Sequence, residues 1–277
     1  MRSLRYADLG LYDTVRRLRR RHSRRLRQDR IRDTVPLEYA KRVWDPSSST
    51  WVEIAIVNMT PEHAFYWDAV IQPAIRTIGN QERREGKKPS RVDHHWSWPR
   101  IRVLLPLAQS LIKRRCRALT VLLQRDLIWQ EPWEGPPKIE DEPKAIPAAM
   151  ILLIESYPWL LPTPRKGQST FTWFIASAPK KVLHELGVFA APSLGSILID
   201  TALITSMTLG YRGRMWLHAD RRGGQRLFDY YSKKCNLLNV NAGFPLPSGL
   251  LSDGRHFYAT SKIAKHLVNG LKQSRTL

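Results

Sequence analysis

The sequence predicts a layered domain of α/β or α+β class, and three observations carry that expectation. The 277 residues are 43% hydrophobic and include ten tryptophans, enough apolar mass for one large core or two modest ones. Segments with strand-like alternation exchange with segments of helical period along most of the chain. Between them fall helix-start and glycine-turn signals such as "TPEH", "HELG" and "RRGG".

The elements follow in order. From Leu4 to Asp33, Leu9, Leu11, Val15, Leu18, Leu26 and Ile31 recur loosely at helical spacing among arginines, which suggests one or two basic amphipathic helices. Residues 1–45 are therefore set apart as a basic helical N-terminal extension, and residues 46–277 as the main domain. "STWVEIAIVN" alternates like a strand, and Thr60 with Pro61 starts the helix after it. Residues 79–91 form a polar loop. A helix from Pro99 to Arg115 and a strand from Ala118 to Leu123 come next. Residues 130–147, with five prolines, form a loop or insertion outside the core. Two strands, "AMILLIESY" and "TFTWFIAS", precede a short helix ended by Gly187. The last third reads as helix "LGSILIDTALITSMTLG", strand "RMWLHAD", helix "GGQRLFDYYSKKCNL", strand "GRHFYAT" and helix "SKIAKHLVNGLK".

Charge limits the partners. Forty-five Lys and Arg against 24 Asp and Glu give a net charge of +21, which attracts polyanions or acidic proteins at low salt. Residues 1–35 hold twelve Arg against four Asp, so residues 1–34 are either a solvated helix packed on the body or a contact for nucleic acid or an acidic protein. With only Cys116 and Cys235 and no CxxC spacing, neither a disulfide framework nor a cysteine zinc site is supported, and a cytoplasmic location is expected. No apolar run is long enough for a membrane span, and the Arg-rich start lacks the apolar segment of a secretory signal. Neither a G-x-S-x-G elbow nor a G-x-x-x-x-G-K-[ST] loop occurs, which disfavours serine hydrolysis and nucleotide hydrolysis.

The segment from Leu194 to Leu237 carries the most specific signal. Gly195 opens a helix with Leu198, Ile199 and Ala202 in the pattern G-x-x-L-L-x-x-A; a strand, a glycine turn and a tyrosine-bearing helix follow. This order resembles the GNAT acetyltransferase superfamily. The resemblance implies a central mixed, mostly antiparallel sheet flanked by helices, and acetyl-CoA or another acyl-CoA as cofactor. Amides at a helix start point at an anion and small residues let phosphate approach, so Ser193, Leu194, Gly195 and Ser196 are the implied pyrophosphate contacts. Ala176 and Ser177, at the end of the implied fourth strand, would hold the pantetheine arm. Tyr231 is the implied general acid for the leaving thiolate, with Tyr230 as its competitor. Ala190 stands where the family prefers Gln or Arg, and Ser193 replaces the middle glycine.

Transfer to an amine also requires a base. Glu155 lies in an otherwise apolar strand, where burial would raise its pKa; the other reading is a strand-end glutamate that points to solvent or pairs with arginine. His218 ends the "RMWLHAD" strand and is a second base candidate, or a strand-end histidine bonded to backbone. In "DHHWSW", His95, Trp96 and Trp98 either line an acceptor pocket or pack around a helix start. Asp93, His94 and His95 are consecutive and lack a further cluster of set spacing, so no metal site is expected. The acceptor amine is open: a small amine, a protein amine, or an aminoacyl-tRNA, the last favoured by the basic charge. The alternative is a GNAT-like scaffold without catalysis that binds nucleic acid or regulates through its Arg-rich N-terminus.

Overall fold

A computed structural model describes residues 39–86, 91–124, 144–159, 167–246, 249–271 and 275–276. The predicted basic helices at 4–33 and most of the proline-rich segment at 130–147 lie outside the described residues.

The chain opens with a hairpin, β1 (Arg42–Asp45) and β2 (Thr50–Asn58), where the alternation pattern predicts one strand. β1 was missed because it is four residues long and lies within the stretch assigned to the extension. Its turn is held by the Asp45 carboxylate, which accepts from the hydroxyls of Ser47 and Ser48. Helix α1 (Pro61–Tyr66) starts as predicted: the Thr60 hydroxyl accepts from the His63 N–H, and His63 Nδ1 accepts from the Thr60 N–H. That reciprocal cap satisfies two donors the helix itself leaves open.

A π turn (Trp67–Ile71) joins α1 to α2 (Gln72–Arg84). Pro73 explains it, since proline cannot donate to the preceding turn and its ring crowds the carbonyl there. The buried Gln72 accepts from Trp67 Nε1 and donates to the Asp93 carbonyl, fixing a 3-10 turn at Asp93–His95 against the helix. Helix α3 (Trp98–Ile112) follows, with Pro99 in its first turn.

Strands β3 (Cys116–Gln124), β4 (Ala145–Trp159) and β5 (Gly167–Ser177) form an antiparallel meander. β4 begins inside the predicted loop, since residues 145–147 already pair with β3. After the short α4 (Lys180–Glu185), α5 (Leu194–Thr208) crosses the sheet to β6 (Met215–His218). α5 is buried nearly all round, as expected of a helix that is apolar on every face. Its Thr201 and Thr205 hydroxyls bond back to Ile197 and Thr201 carbonyls, so neither is left bare in the core. A 3-10 turn (Arg221–Gly223) leads into α6 (Gly224–Asp229), extended by a π turn (Tyr230–Lys234). β7 (Leu238–Asn239), β8 (His256–Ala259), α7 (Ser261–Leu271) and β9 (Arg275–Thr276) complete the chain.

The strands lie in the order β7-β8-β6-β5-β4-β3-β2-β1-β9. Every pair is antiparallel except β5 with β6. This is the mixed, mostly antiparallel, helix-flanked sheet implied by the GNAT resemblance. Met215 and Leu217 join the large core that includes α5, whereas Trp216 belongs to a separate cluster with Trp159 and Tyr258. Alternation along β6 therefore puts His218 on the Trp216 face, away from α5.

Candidate active site between strands β5 and β6

The one parallel pair among the described strands is short. β6 pairs only with Thr170, Phe171 and Thr172, whereas β5 continues to Ser177 and stays paired with β4 on its other side. The register of β4 against β5 slips at this point: Leu153 pairs with Thr172 and Leu152 with Phe174, leaving Trp173 out as a bulge. A bulge twists and redirects a strand, and β6 itself ends one residue past its last pair, at His218. Residues 173–177 thus present roughly 16 Å of strand edge, at about 3.3 Å per residue, that β6 does not cover.

Loop 91–96 closes the far end of that edge. The Arg91 guanidinium forms a two-point pair with Asp93 and donates to the Ser177 carbonyl at 2.6 Å. That carbonyl is therefore occupied, and Ala176 is buried; both residues end β5, the implied pantetheine strand. Beside the loop, Arg83 bonds both His94 (2.5 Å) and His95 (3.0 Å). Burial lowers the pKa of both imidazoles, and the charges of Arg83 and Arg222 lower them further. Arg76, Arg83, Arg221 and Arg222 are exposed, which gives this end of the molecule an excess of positive charge.

At the start of α5 no side chain caps the helix; the Ser193 hydroxyl bonds that of Ser196 at 3.0 Å instead. The first-turn amides of Leu194, Gly195 and Ser196 have no partner four residues back within the helix. Leu194 is buried and Ser193 exposed. A Cβ built on Gly195 would lie 2.3 Å from the Tyr230 hydroxyl, so only glycine leaves room for that phenol. The hydroxyl is buried, with Cys235 and Ser196 beside it. Burial, with the neighbouring Cys235, pushes the phenol pKa well above its ordinary value, so it is protonated at neutral pH. Tyr231, one residue on, points into the core: it is 4% exposed and packs on Phe257 with centroids 5.7 Å apart.

The other predicted residues separate. Glu155 is 4% exposed and paired with Arg117, whose Nε lies 2.7 Å from Oε1. It is beyond Ile154, which pairs with Phe171, at the opposite end of β5 from Ser177. The arginine-paired reading of Glu155 describes its surroundings. Trp98 is fully buried and Trp96 packs edge-on to Phe174 at 4.9 Å; the aromatic-packing reading fits Trp98, and only His95 of the three is exposed. His218, partly exposed, is one residue past the last β5–β6 pair. Its Nε2 lies 3.2 Å from an Asp253 oxygen, and its ring stacks on His256 at 4.5 Å. Burial opposes the charged form of Asp253, but hydrogen bonds from His218 and Arg221 outweigh it and hold the carboxyl down at about 2. Sequence reading missed Asp253 and His256 because they come from a loop and strand 35 or more residues away from His218.

No protein-family model matches the sequence, and no curated protein does so significantly. The mixed, mostly antiparallel, helix-flanked sheet is the fold that the GNAT resemblance implies. Solved structures similar to the chain include a tyrosine-to-phenylalanine mutant of the AtaT toxin bound to the C-terminus of the antitoxin AtaR and acetyl-CoA. It is 11% identical, at a TM-score of 0.38, over 77% of this chain and 97% of that one. A tyrosine-to-phenylalanine mutant of KacT is 10% identical at 0.39, over 77% and 98%. A KacTA–DNA complex is 9% identical at 0.35, over 62% and 85%. None of these scores reaches 0.5, and the description of the fold rests on the chain's own strand order and register.

Proposed function

We propose that this chain is an acyl-CoA-dependent N-acyltransferase, moving an acetyl or other acyl group to an amine by direct attack. The observation that carries the reading is the Tyr230 hydroxyl seated on Gly195, at the uncapped start of α5 and beside the uncovered edge of β5. Acyl-CoA would supply an activated thioester and a thiol leaving group. The residues fit such a group: an open strand edge suits an extended amide-bearing arm, and α5 begins with amides that no side chain caps. The amides of Leu194, Gly195 and Ser196, with the Ser193 and Ser196 hydroxyls, would hold its pyrophosphate. Amides of 173–177 would bind the arm and polarise the carbonyl.

Tyr230 would donate its proton to the departing sulfur. A phenol held protonated by burial can act as an acid and not as a base. On the opposite face of the sheet, His218 would take the proton that the amine loses as its C–N bond forms, with Asp253 orienting the imidazole. Arginines around the 91–96 loop favour an amine carried on a polyanion, which keeps an aminoacyl-tRNA among the acceptors.

Gly195→Trp would displace Tyr230. Acetyl-CoA binding, measured by isothermal titration, is expected in the wild-type chain and lost in this variant. Absence of binding at high micromolar acetyl-CoA, or equal binding by both proteins, would count against the proposal.

The net charge of +21 supports a second reading, a non-catalytic nucleic-acid-binding protein acting through residues 1–34. For duplex DNA the logarithm of its affinity should fall by about 0.9 per neutralised phosphate for each tenfold rise in salt. Deleting residues 1–34 should flatten that slope; an unchanged slope and affinity would rule the reading out.

A further inference from the structure

His218 and His256 are direct cross-strand partners on β6 and β8. Asp253 sits in the loop before β8, and its Oδ1 lies 3.3 Å from His218 Nε2 and 3.5 Å from His256 Nδ1. One ligand atom from each of the three lies within 4.8 Å of the other two. Zinc held tetrahedrally, with bonds of about 2.0–2.1 Å, separates its ligand atoms by about 3.3–3.4 Å. Two edges of this triangle already have that length. The two histidines are spaced by the β6–β8 ladder, and Asp253 is placed by the Arg255 N–H, which donates to its Oδ1 at 3.0 Å.

We propose that His218, Asp253 and His256 bind one divalent transition-metal ion of the zinc class. Two imidazoles and a carboxylate suit a borderline ion and leave a coordination position for water or a ligand. A guanidinium already pairs with the carboxylate: Arg221 Nε donates to Asp253 Oδ2 at 2.9 Å, from a side chain 73% exposed. That guanidinium opposes a second cation at the same carboxylate, so Arg221 is a built-in competitor. The site does not depend on acyl transfer. A bound ion would, however, commit the His218 lone pair and take it out of proton transfer, which makes occupancy an off-switch for the amine side of the reaction.

The test uses the full chain with the metal alone: Zn²⁺ by calorimetry and Co²⁺ by visible absorption. One saturable site per chain is expected, with the absorption bands of low-coordinate Co²⁺. His218→Ala and His256→Ala should each weaken binding at least tenfold, with folding checked by circular dichroism. Arg221→Ala, at an exposed position, should tighten it. The proposal is overturned if no saturable site exists, or if both histidine variants bind as the parent does, since other histidines would then hold the ion. Unchanged affinity in Arg221→Ala together with unchanged affinity in Asp253→Asn would also overturn it.

Discussion

Replacing Tyr230 by phenylalanine is expected to lower acyl-transfer turnover by about 10²- to 10⁴-fold, the range one positioned general acid contributes. Acetyl-CoA affinity should hardly change. The substitution removes one oxygen and leaves the ring packed against the large core. A loss confined to turnover indicates an interaction made only as the bond to sulfur breaks. Tyr231→Phe supplies the contrast: the ring is packed on Phe257 inside the core, so turnover should stay near that of the parent. Steady-state kinetics on both variants decides the matter. Full activity in Tyr230→Phe, or the loss appearing in Tyr231→Phe instead, would remove Tyr230 from its role.

Glu155→Ala should be the most destabilising single change described here. It leaves Arg117 charged and 8% exposed, with one guanidinium nitrogen already lacking a partner among the described residues. Breaking one side of a buried pair costs about 3–5 kcal/mol. At about 2–4 °C per kcal/mol for a domain of this size, the melting temperature should fall by roughly 10 °C. The double change Glu155→Met with Arg117→Met should recover most of that loss, because a well-packed apolar pair no longer leaves a bare charge. Calorimetry on the three proteins measures it. A Glu155→Gln protein with parental melting temperature and abolished turnover would show instead that the carboxylate serves catalysis.

Much of the architecture was legible from residue order. Thr60 and Pro61 marked a helix start, Gly187 a helix end, and the alternation of 170–177 a strand, because caps and period are local properties of the chain. β1 escaped because four residues carry little periodic signal, and its place in the sheet depends on β2 and β9. At the candidate site, Gly195 was legible as a small residue opening an apolar helix. The choice between adjacent tyrosines was not. The π turn at Tyr230–Lys234 changes the helical phase, and a phase error of one residue exchanges the phenol facing Gly195 with the one facing Phe257.

Burial was the other limit. Glu155 in "MILLIESY" has the same local signature whether it is a base in a cleft or the partner of a buried arginine. Only the pairing of β3 with β4 brings Arg117 to it. The cluster of His218, Asp253 and His256 has no sequence spacing to announce it, since a strand end, a loop and a neighbouring strand each contribute one residue. By itself, then, the sequence determined the alternation of strands and helices, the strong positive charge and the glycine-led helix, all of which follow from composition and short-range periodicity. The tertiary structure decided where β5 leaves β6, which tyrosine meets Gly195 and which charges are buried together. Those depend on register and on side chains distant in sequence: β6 ends at His218 while β5 runs on to Ser177, which leaves the strand edge where the proposed chemistry would occur.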